Sequence, residues 1–330
     1  VGLKNHFSNY ASHVLKSCNV KKDSLIVDIG SNDGILLNFF KLNKMRVVGV
    51  EPAPEIAKIA NNNGIETFSD YLSKETVDKI INKHGKAKIV TSNNVFANVD
   101  DIRAWVSCIK KLLDDDGIYI FESFYLLDVV NNFVFDFIYH EHLSAFSVKP
   151  MQKLFDSFEM ELIKVEPIST KGGSLRYYVQ KKSKTIHDDG SVKKYLDLEE
   201  KSNLYSKKTF DIFLNKIDKL KIKSQSFLKD AKKNNKKIAG FGASITGTTL
   251  IHHFELEEYI DYLIDDNKAK HGMYSPGIHL PVYPVEKIQS LKPDIIYILA
   301  WRFASHFINK RNKIGWSGEI VNPVPEFKNF

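Results

Sequence analysis

A short segment near the middle of the chain concentrates side chains that can transfer protons. The sequence FIYHEHLSAFS contains Tyr139, His140, Glu141 and His142 in direct succession. An imidazole can act as a general base, a carboxylate can orient it, and a phenol can donate to a developing oxyanion. A His-x-His pair could also bind a metal, but no third ligand stands at a recognisable spacing, so no metal is expected. The alternative of hydrogen-bonded core or capping residues fits one histidine better than the whole tetrad.

A second segment has the pattern of a turn that binds a nucleoside. The sequence VDIGSNDG joins an apolar strand to a helix, with Asp28 at the carboxyl end of the strand and Gly30 and Gly34 in the turn. Ligands of open α/β sheets bind at that edge. The GxxxG spacing argues against a dinucleotide, and Glu51, at the end of the next strand, can accept both ribose hydroxyls. The alternative is a βαβ turn whose glycines only permit close packing.

The turn and the acidic residue together resemble a class I S-adenosylmethionine (SAM) methyltransferase. That resemblance implies SAM as the cofactor and a set of residues that contact it: Asp28, Gly30, Asn32, Gly34, Glu51, Pro52, Asn93 and Asn94. A carbon acceptor of the methyl group needs a C–H bond made acidic by a carbonyl, and donors for the enolate oxygen. Because imidazole is a weak base, with a reference pKa of about 6.5, such donors must supply much of the driving force. A histidine beside a tyrosine and a glutamate fits carbon better than oxygen.

The elements around these segments alternate in the way that a parallel sheet requires. Strands are predicted at 25–29, 46–50, 65–68, 87–92 and 117–122, with helices between them and a lead-in helix over 8–17. A helix over 149–158 and strands at 161–166 and 174–180 follow. The stretch 192–234 has a helical period without Pro or Gly. A second alternating unit begins at Lys237.

We therefore predict an α/β protein with a class I SAM-dependent methyltransferase domain of Rossmann-like fold and a second, smaller Rossmann-like α/β domain. The predicted bounds are 1–185 for the first domain with the catalytic loop, 186–235 for a helical Lys-rich connection, and 236–330 for the second domain. The chain has 330 residues, 43% of them hydrophobic and 12% aromatic, which excludes a disordered protein and allows two cores.

The charge and the cysteines exclude several classes of protein. The net charge is +7, but residues 180–237 hold 17 lysines against 8 acidic residues, so this one stretch carries the whole excess. It has no arginine and few aromatics, which favours a solvated helical face over a nucleic-acid groove. Cys18 and Cys108 have no CxxC partner, which excludes a disulfide framework and a cysteine-based zinc site. No apolar run is long enough for a membrane span and no signal peptide is recognised, so a cytoplasmic location is expected.

A specific resemblance covers nearly the whole chain. The sequence is similar to the sugar C-methyltransferase family that acts on nucleotide-linked ketosugars, typified by the C-3 methyltransferase of tetronitrose biosynthesis. The matching segments are DIGSNDG (28–34), GVEPAPEIA (49–57), YHEHLSAFS (139–147), GGSLRYYV (172–179), GFGASITGTTL (240–250), DDNKAKHGMYSPGIHLPV (265–282) and AWRFA (300–304). The resemblance implies His142 as the base, assisted by Tyr139 and Glu141, and a nucleoside-diphosphate 4-keto-6-deoxy sugar as the acceptor.

The sequence departs from this family in three respects. Family members have an N-terminal Cys-rich zinc module, and this sequence starts at Val1, where the linker to that module is expected, so we expect a truncated or naturally short form. A linker tyrosine of the family has no secure match, since Asn5-His6-Phe7 stand there and Tyr10 comes later. The family's GYGAPAKGNTL is GFGASITGTTL here, so a lysine is missing and a different nucleotide or sugar is expected if that lysine contacts substrate.

The second domain and one loop of the first supply candidate substrate-binding residues. Gly240, Gly242 and Gly247 lie near the turn between a strand and a helix, where free backbone N–H groups bind anions. Their GxGxxxxG spacing could also hold NAD, and pure packing is a third interpretation. The candidates for binding the nucleotide sugar are His140, Lys171, Arg176, Gly242, Ser244 and Asp266.

Three alternatives to a C-methyltransferase stay open from the sequence. A sugar O-methyltransferase would use His142 as a simple base. A non-catalytic module that binds a nucleotide sugar would fit the N-terminal region that the family resemblance expects and this sequence does not contain. A nucleic-acid methyltransferase is the most distant of the three. The nucleotide base, the sugar, the methylated carbon and the oligomeric state are not specified by the sequence.

Overall fold

The chain forms two compact units in a computed structural model that describes residues 2–182, 188–305, 307–309 and 315–330. The first unit contains residues 1–127 and 141–204, and the second contains residues 128–140 and 205–330. Two α/β units are what the sequence predicted. The division differs from the predicted bounds in two places, because a short central segment belongs to the second unit and the predicted Lys-rich connection is shared between the units.

The first unit is built on a seven-stranded sheet. Its strands are β1 (Leu25–Ile29), β2 (Arg46–Val50), β3 (Thr67–Phe68), β4 (Ala87–Asn93), β5 (Leu113–Phe124), β6 (Met160–Ile168) and β7 (Ser174–Lys181). The spatial order is β3-β2-β1-β4-β5-β7-β6. Strands β1 to β5 pair in parallel, and β7 runs antiparallel to both of its neighbours. All five residues of β1 are buried, as expected for a strand covered on both faces.

Helices cover this sheet. They are α1 (Gly2–Ser17), α2 (Ile35–Leu42), α3 (Pro54–Asn62), α4 (Lys74–His84), α5 (Ile102–Leu112), α6 (Leu126–Asn131), α7 (Val148–Asp156) and α8 (Ser191–Lys201). The boundary between the units falls within α6. Helix α1 buries Tyr10, Ala11 and Val14, which recur at helical spacing, against Leu37 and Phe40 of α2. This helix begins six residues before the predicted start at residue 8.

The second unit has a six-stranded sheet of its own. Its strands are β8 (Ile238–Phe241), β9 (Tyr262–Asp265), β10 (Val282–Pro284), β11 (Ile295–Ile298), β12 (Glu319–Asn322) and β13 (Lys328–Asn329), and its helices are α9 (Lys207–Lys233), α10 (Ile245–Phe254) and α11 (Ile288–Leu291). The spatial order is β10-β9-β8-β11-β12-β13, with only β13 antiparallel among these strands. The long helix α9 buries Phe213, Ile217, Leu220 and Leu228 along one face. Most of its lysines lie on the other faces and are exposed.

Several predicted elements differ from the structure in detail. Strand β3 has two residues instead of four, and β10 was missed because it is short and ends at Pro284. The helix predicted over 285–291 is a 3₁₀ turn followed by the single turn of α11. The helix predicted over 301–312 begins as the 3₁₀ turn Trp301–Phe303, and residues 306 and 310–312 of it lie outside the described residues. No helix among the described residues is long and apolar enough to span a membrane.

Candidate functional site

The Gly-rich turn after β1 has a backbone that only glycine adopts without strain at two positions. Gly30 has φ +72° and Gly34 has φ +80°, both in the left-handed region. A side chain on Gly30 would overlap the Val95 side chain, and one on Gly34 would meet Ile65 at 3.1 Å. These glycines are therefore required by packing, whatever the turn binds, and the two interpretations offered for them from the sequence are compatible.

Asp28 is the buried acidic residue at the carboxyl end of β1. It is 4% exposed, and its Oδ1 accepts a hydrogen bond of 2.6 Å from the Thr91 hydroxyl on β4. Burial raises the pKa of Asp28 to about 7, the nearby charge of Glu51 acts in the same direction, and the hydrogen bond from Thr91 opposes both. A carboxyl group that gains or loses a proton near neutral pH thus lies below the Gly-rich turn.

Glu51, directly after β2, is hydrogen-bonded to the backbone of the Gly-rich turn. Its Oε2 accepts from the backbone N–H of Asn32 at 3.0 Å, and its Oε1 accepts from the backbone N–H of Ala53 at 3.0 Å. Each carboxylate oxygen has a further lone pair, so the group can still accept hydroxyl donors. Asn32 is exposed with φ 51°, and its Oδ1 accepts from the backbone N–H of Asp33, so it shapes the turn. Pro52 is half-buried beside Glu51.

Polar atoms without partners lie at the same edge. Within the described part of the chain, both polar atoms of the Asn93 amide and the Ser31 hydroxyl are buried and make no hydrogen bond. Buried amides are normally satisfied, so these atoms indicate a place where a polar ligand completes the site. Asn94, with φ 59°, donates its backbone N–H to the Glu122 carbonyl at 2.8 Å. The residues at the ends of β1, β2 and β4 therefore fit a polar nucleoside cofactor such as SAM.

His142 lies in the first unit beside this edge. Its ring is 4.8 Å from the ring of Phe124, the last residue of β5. The next two residues, Leu143 and Ser144, donate their backbone N–H groups to the carbonyl of Ala97, in the turn that follows β4. These bonds fix the segment that carries the predicted base next to the strand that ends in Asn93. His142 is partly exposed, as a residue that meets a ligand must be.

The boundary between the two units separates the four adjacent residues of the proposed catalytic segment. Tyr139 and His140 belong to the second unit, and Glu141 and His142 belong to the first. In the second unit this segment is anchored by the buried Asp136, whose carboxylate accepts from Arg302 at 2.7 Å and from the Trp301 indole at 3.0 Å. The AWRFA segment, which the sequence singled out without a role, thus holds the residues that precede Tyr139.

Arg176 is committed to the interior of the first unit. Its side chain is 6% exposed, and its Nε and Nη2 donate to Glu122 Oε1 at 2.9 and 2.6 Å. Its Nη1 lies 3.5 Å from Glu166, and its guanidinium stacks 4.1 Å from the Tyr10 ring centre. Because these contacts use its donors inside the fold, we describe Arg176 as a residue of the sheet and omit it from the proposed substrate site. Lys171 is exposed, with φ 57°, and stays a candidate for an anionic ligand.

The turn after β8 in the second unit is fixed by side chains. Gly242 has φ +104°, and the Ser244 hydroxyl caps α10 by accepting from the Gly247 N–H at 3.1 Å. Gly240 lies inside β8 and Gly247 inside α10, so only Gly242 of the three predicted glycines lies in the turn itself. The carboxylate that accepts from the turn, at the Ala243 N–H, is Asp265 rather than its exposed neighbour Asp266.

A cavity of about 600 Å³ in the second unit brings together two predicted substrate residues. His140 and Ser244 both line it, with Tyr139, Thr248 and His252 among the other lining residues. Gly242 and Asp266 do not line this cavity. No group of three or more His, Cys, Asp or Glu residues able to hold a metal is found in the ranges that the structure describes.

Two further polar residues were not recognised from the sequence. Glu122, at the end of β5, is 1% exposed and also accepts from His6 Nε2 at 2.9 Å through Oε2. Glu199 of α8 accepts from the backbone N–H groups of Val148 and Lys149 and so caps α7. An acidic residue at the end of the predicted strand 117–122, whose other residues are uncharged, was the available signal for Glu122. Nothing local identifies Glu199, because its partners are about 50 residues away in sequence.

Comparison with known proteins agrees with this architecture. A family described as "Methyltransferase domain" matches residues 8–165, and one described as "C-methyltransferase C-terminal domain" matches residues 169–325. A similar protein, the C-methyltransferase NovU of Streptomyces niveus, is 29% identical over 304 residues, which cover 92% of this chain and 72% of NovU.

Among solved structures, magnesium protoporphyrin IX methyltransferase (ChlM) of Synechocystis PCC 6803 with bound SAH has a TM-score of 0.44 and 14% identity, covering 55% of this chain and 84% of its own. The YcgJ protein of Bacillus subtilis has a TM-score of 0.42 and 13% identity, covering 54% and 100%. The two family matches follow one another along the chain with three residues between them; the first covers most of the seven-stranded sheet, and the second covers β7 of that sheet and most of the second unit. These matches support a SAM-dependent C-methyltransferase with a class I methyltransferase domain and a second α/β domain.

Proposed function

We propose that this C-methyltransferase adds a methyl group to the carbon alpha to the ketone of a nucleoside-diphosphate keto-deoxysugar, with His142 as the base. The observation that carries the proposal is the anchoring of the His142 segment to Ala97 beside the strand end at Asn93. A histidine at that edge would stand beside the proposed cofactor site, from which the methyl group is transferred. The sugar itself rests on the sequence resemblance described above.

The cofactor side of the proposed site consists of residues at the ends of three adjacent strands. Glu51 would accept the ribose hydroxyls, because its orientation is already fixed by two backbone donors. The unpartnered amide of Asn93 would bind a polar group of the cofactor. SAM, when bound, supplies an electrophilic methyl group on its sulfonium. The Gly-rich turn would accommodate the cofactor only while Gly30 and Gly34 keep their left-handed backbone.

On the acceptor side, the proton chemistry falls to His142. Its neutral imidazole takes the proton from the carbon alpha to the ketone, and the electron pair of the broken C–H bond forms the enolate. The enolate carbon would then bond to the methyl carbon while the C–S bond of the sulfonium breaks and its electron pair returns to sulfur, which would leave a neutral thioether. The proton would stay on the imidazole until solvent removes it. The family resemblance gives the assisting roles to Tyr139 and Glu141. Without a donor to the enolate oxygen, an imidazole of ordinary pKa, about 6.5, is too weak a base for this step.

In the second unit, one cavity is the proposed place for binding a nucleotide sugar. His140 and Ser244 line it together, and Thr248 and His252 add hydroxyl and imidazole groups. Its volume, about 600 Å³, is within the range of small-molecule sites. Because Ser244 also caps α10, its hydroxyl has a fixed position before any ligand binds.

The proposal is tested by incubating the protein with SAM and a panel of nucleotide-linked 4-ketosugars. Mass spectrometry should show the gain of one CH₂ in the acceptor, and proton NMR should show a methyl group on carbon. A methoxy signal instead would establish an O-methyltransferase. Binding of SAM and of the nucleotide sugar without any methylated product would establish a binding module.

The role of His142 has its own test. His142→Asn should abolish turnover and leave SAM affinity within a factor of about two, because the residue contacts the acceptor and not the cofactor. A matched control is His84→Asn, since His84 is a half-buried histidine that pairs with Glu66 at the opposite end of β4. Near-normal turnover of the His142 variant would refute its role as the base.

A further inference from the structure

Two histidines on helix α1 each pair with a glutamate of the sheet. His6 Nε2 lies 2.9 Å from Glu122 Oε2, and His13 Nε2 lies 2.9 Å from Glu166 Oε1. The two pairs differ in their surroundings. The His6 and Glu122 side chains are 20% and 1% exposed, whereas those of His13 and Glu166 are 46% and 20% exposed. The first pair is thus largely removed from water and the second is a surface pair.

The pair formed by His6 lies at the functional edge of the sheet. Glu122 is directly opposite Asn93 in the register of β5 and β4, next to the proposed cofactor site. Glu166 lies on β6, two strands further from β4. Glu122 and Phe124, which contacts the His142 ring, are two residues apart and therefore on the same face of β5. At a rise of about 3.3 Å per residue, the anchor points of His6 and His142 are about 7 Å apart along this strand.

Charges link the same groups. Desolvation lowers the pKa of Lys171, and the carboxylates of Glu122 and of Glu141, the residue before His142, oppose this shift. Lys171 begins a turn in which it, Gly172 and Gly173 all have positive φ, so its backbone is held in an unusual conformation. Glu122 therefore pairs with His6 by a hydrogen bond and acts electrostatically on Lys171.

The hydrogen bonds determine which nitrogen of His6 is available. Arg176 donates two hydrogen bonds to Oε1 of Glu122, and a carboxylate paired with a guanidinium acts as an acceptor. The Nε2 atom of His6, which faces Oε2, must then carry the hydrogen. In the neutral ring this leaves Nδ1 as a hydrogen-bond acceptor, in the same way that a carboxylate selects the tautomer of other functional histidines.

We infer that His6 is an acceptor-binding residue whose Nδ1 accepts a hydrogen bond from a hydroxyl of the methyl acceptor. Glu122 and Arg176 are its positioning residues. The inference rests on the proposed function, because it concerns the same acceptor site, and it adds a residue outside the YHEH segment that determines which polyhydroxylated acceptors bind. A sugar offers hydroxyl groups close to its ketone, which is the chemistry that this imidazole would recognise.

The test uses a substitution that separates the two ring nitrogens. In His6→Gln the amide nitrogen can still donate to Glu122, as Nε2 does, but nothing replaces Nδ1. We expect KM for the ketosugar to rise about tenfold, the loss expected for one hydrogen bond. The KM for SAM and the unfolding temperature should be unchanged. His13→Gln is the matched control, since it alters the surface pair on the same helix, and its KM values should equal those of the wild type.

The outcomes separate this inference from the proposed function. If the wild type methylates a ketosugar and His6→Gln has a KM within twofold of it, the inference is wrong and the proposed function stands. A rise in the KM for SAM instead of the acceptor also refutes it. If the wild type methylates no ketosugar of the panel, the proposed function fails and the inference fails with it. His6→Asn, which loses the bond to Glu122, serves as a second variant and should also raise the acceptor KM.

Discussion

Replacing Asp28 by asparagine should change the unfolding free energy, relative to the wild type, in a way that depends on pH. The variant should gain stability over the wild type as the pH rises from acid to neutral. In the wild type the carboxyl is buried, and its pKa is raised from 3.8 to about 7. In the unfolded chain it has an ordinary pKa of about 3.9. The folded state therefore binds this proton more tightly, so the stability present below about pH 4 is lost progressively as the pH rises to about 7.

The shift of about three pKa units corresponds to roughly 4 kcal/mol once the carboxyl is ionised in both states. At about pH 8 nearly all of this cost is present, and at about pH 5 roughly 1–2 kcal/mol of it is present. An amide has no charge at either pH, and its packing cost is the same at both. The difference in unfolding free energy, Asp28→Asn minus wild type, should therefore increase by roughly 2–3 kcal/mol between about pH 5 and about pH 8.

The measurement is guanidinium-induced unfolding of both proteins without cofactor across this pH range. Asp33→Asn is a suitable control, because Asp33 is an exposed acid in the same turn. Its difference from the wild type should not follow the pH profile of the Asp28 variant. If the difference for Asp28→Asn is independent of pH, the carboxyl does not titrate near neutrality in the folded state and the argument from burial is wrong.

Three further predictions concern interactions within each of the two units. Arg176→Met should destabilise the protein by about 3–5 kcal/mol, because it leaves Glu122 as a buried charge, and the double variant with Glu122→Gln should recover part of this loss in denaturant unfolding. Gly30→Ala should lower the unfolding temperature and the affinity for SAM, because the backbone φ of +72° and the overlap with Val95 force the turn to move. Calorimetry would measure the change in affinity. Ser244→Ala should cost about 1 kcal/mol by loss of the α10 cap, and normal thermal stability of this variant would contradict it.

The order of elements could be predicted because it depends on local patterns. Short apolar strands separated by amphipathic helices define a parallel sheet without knowledge of long-range contacts. The carboxyl ends of such strands meet at one edge, so Asp28, Glu51 and Asn93 could be placed together from the sequence alone. Strand β10 and the 3₁₀ turns could not, because a three-residue strand gains its stability from the neighbouring β9 and has little pattern of its own.

The residues that the sequence did not assign are those whose partners are distant along the chain. Arg176 was a candidate for binding the nucleotide sugar, but its partner Glu122 is 54 residues away. Asp136 was passed over in favour of the neighbouring histidines, although it binds Arg302, 166 residues later. A buried charge is stable only with such a partner. The sequence shows that a charged residue is present, but only the fold shows which residue pairs with it.

Each unit holds a carboxylate at the end of a strand by the same pattern of hydrogen bonds. Glu51 accepts from Asn32 in the turn of the preceding strand and from Ala53 after its own strand. Asp265 likewise accepts from Ala243, in the turn after β8, and from Asn267 after its own strand. In both cases two backbone donors orient the carboxylate before any ligand arrives, which lowers the entropy cost of binding. The acid thus closes its own turn and keeps further lone pairs that can accept, so its packing role and a ligand-binding role are compatible with the same geometry.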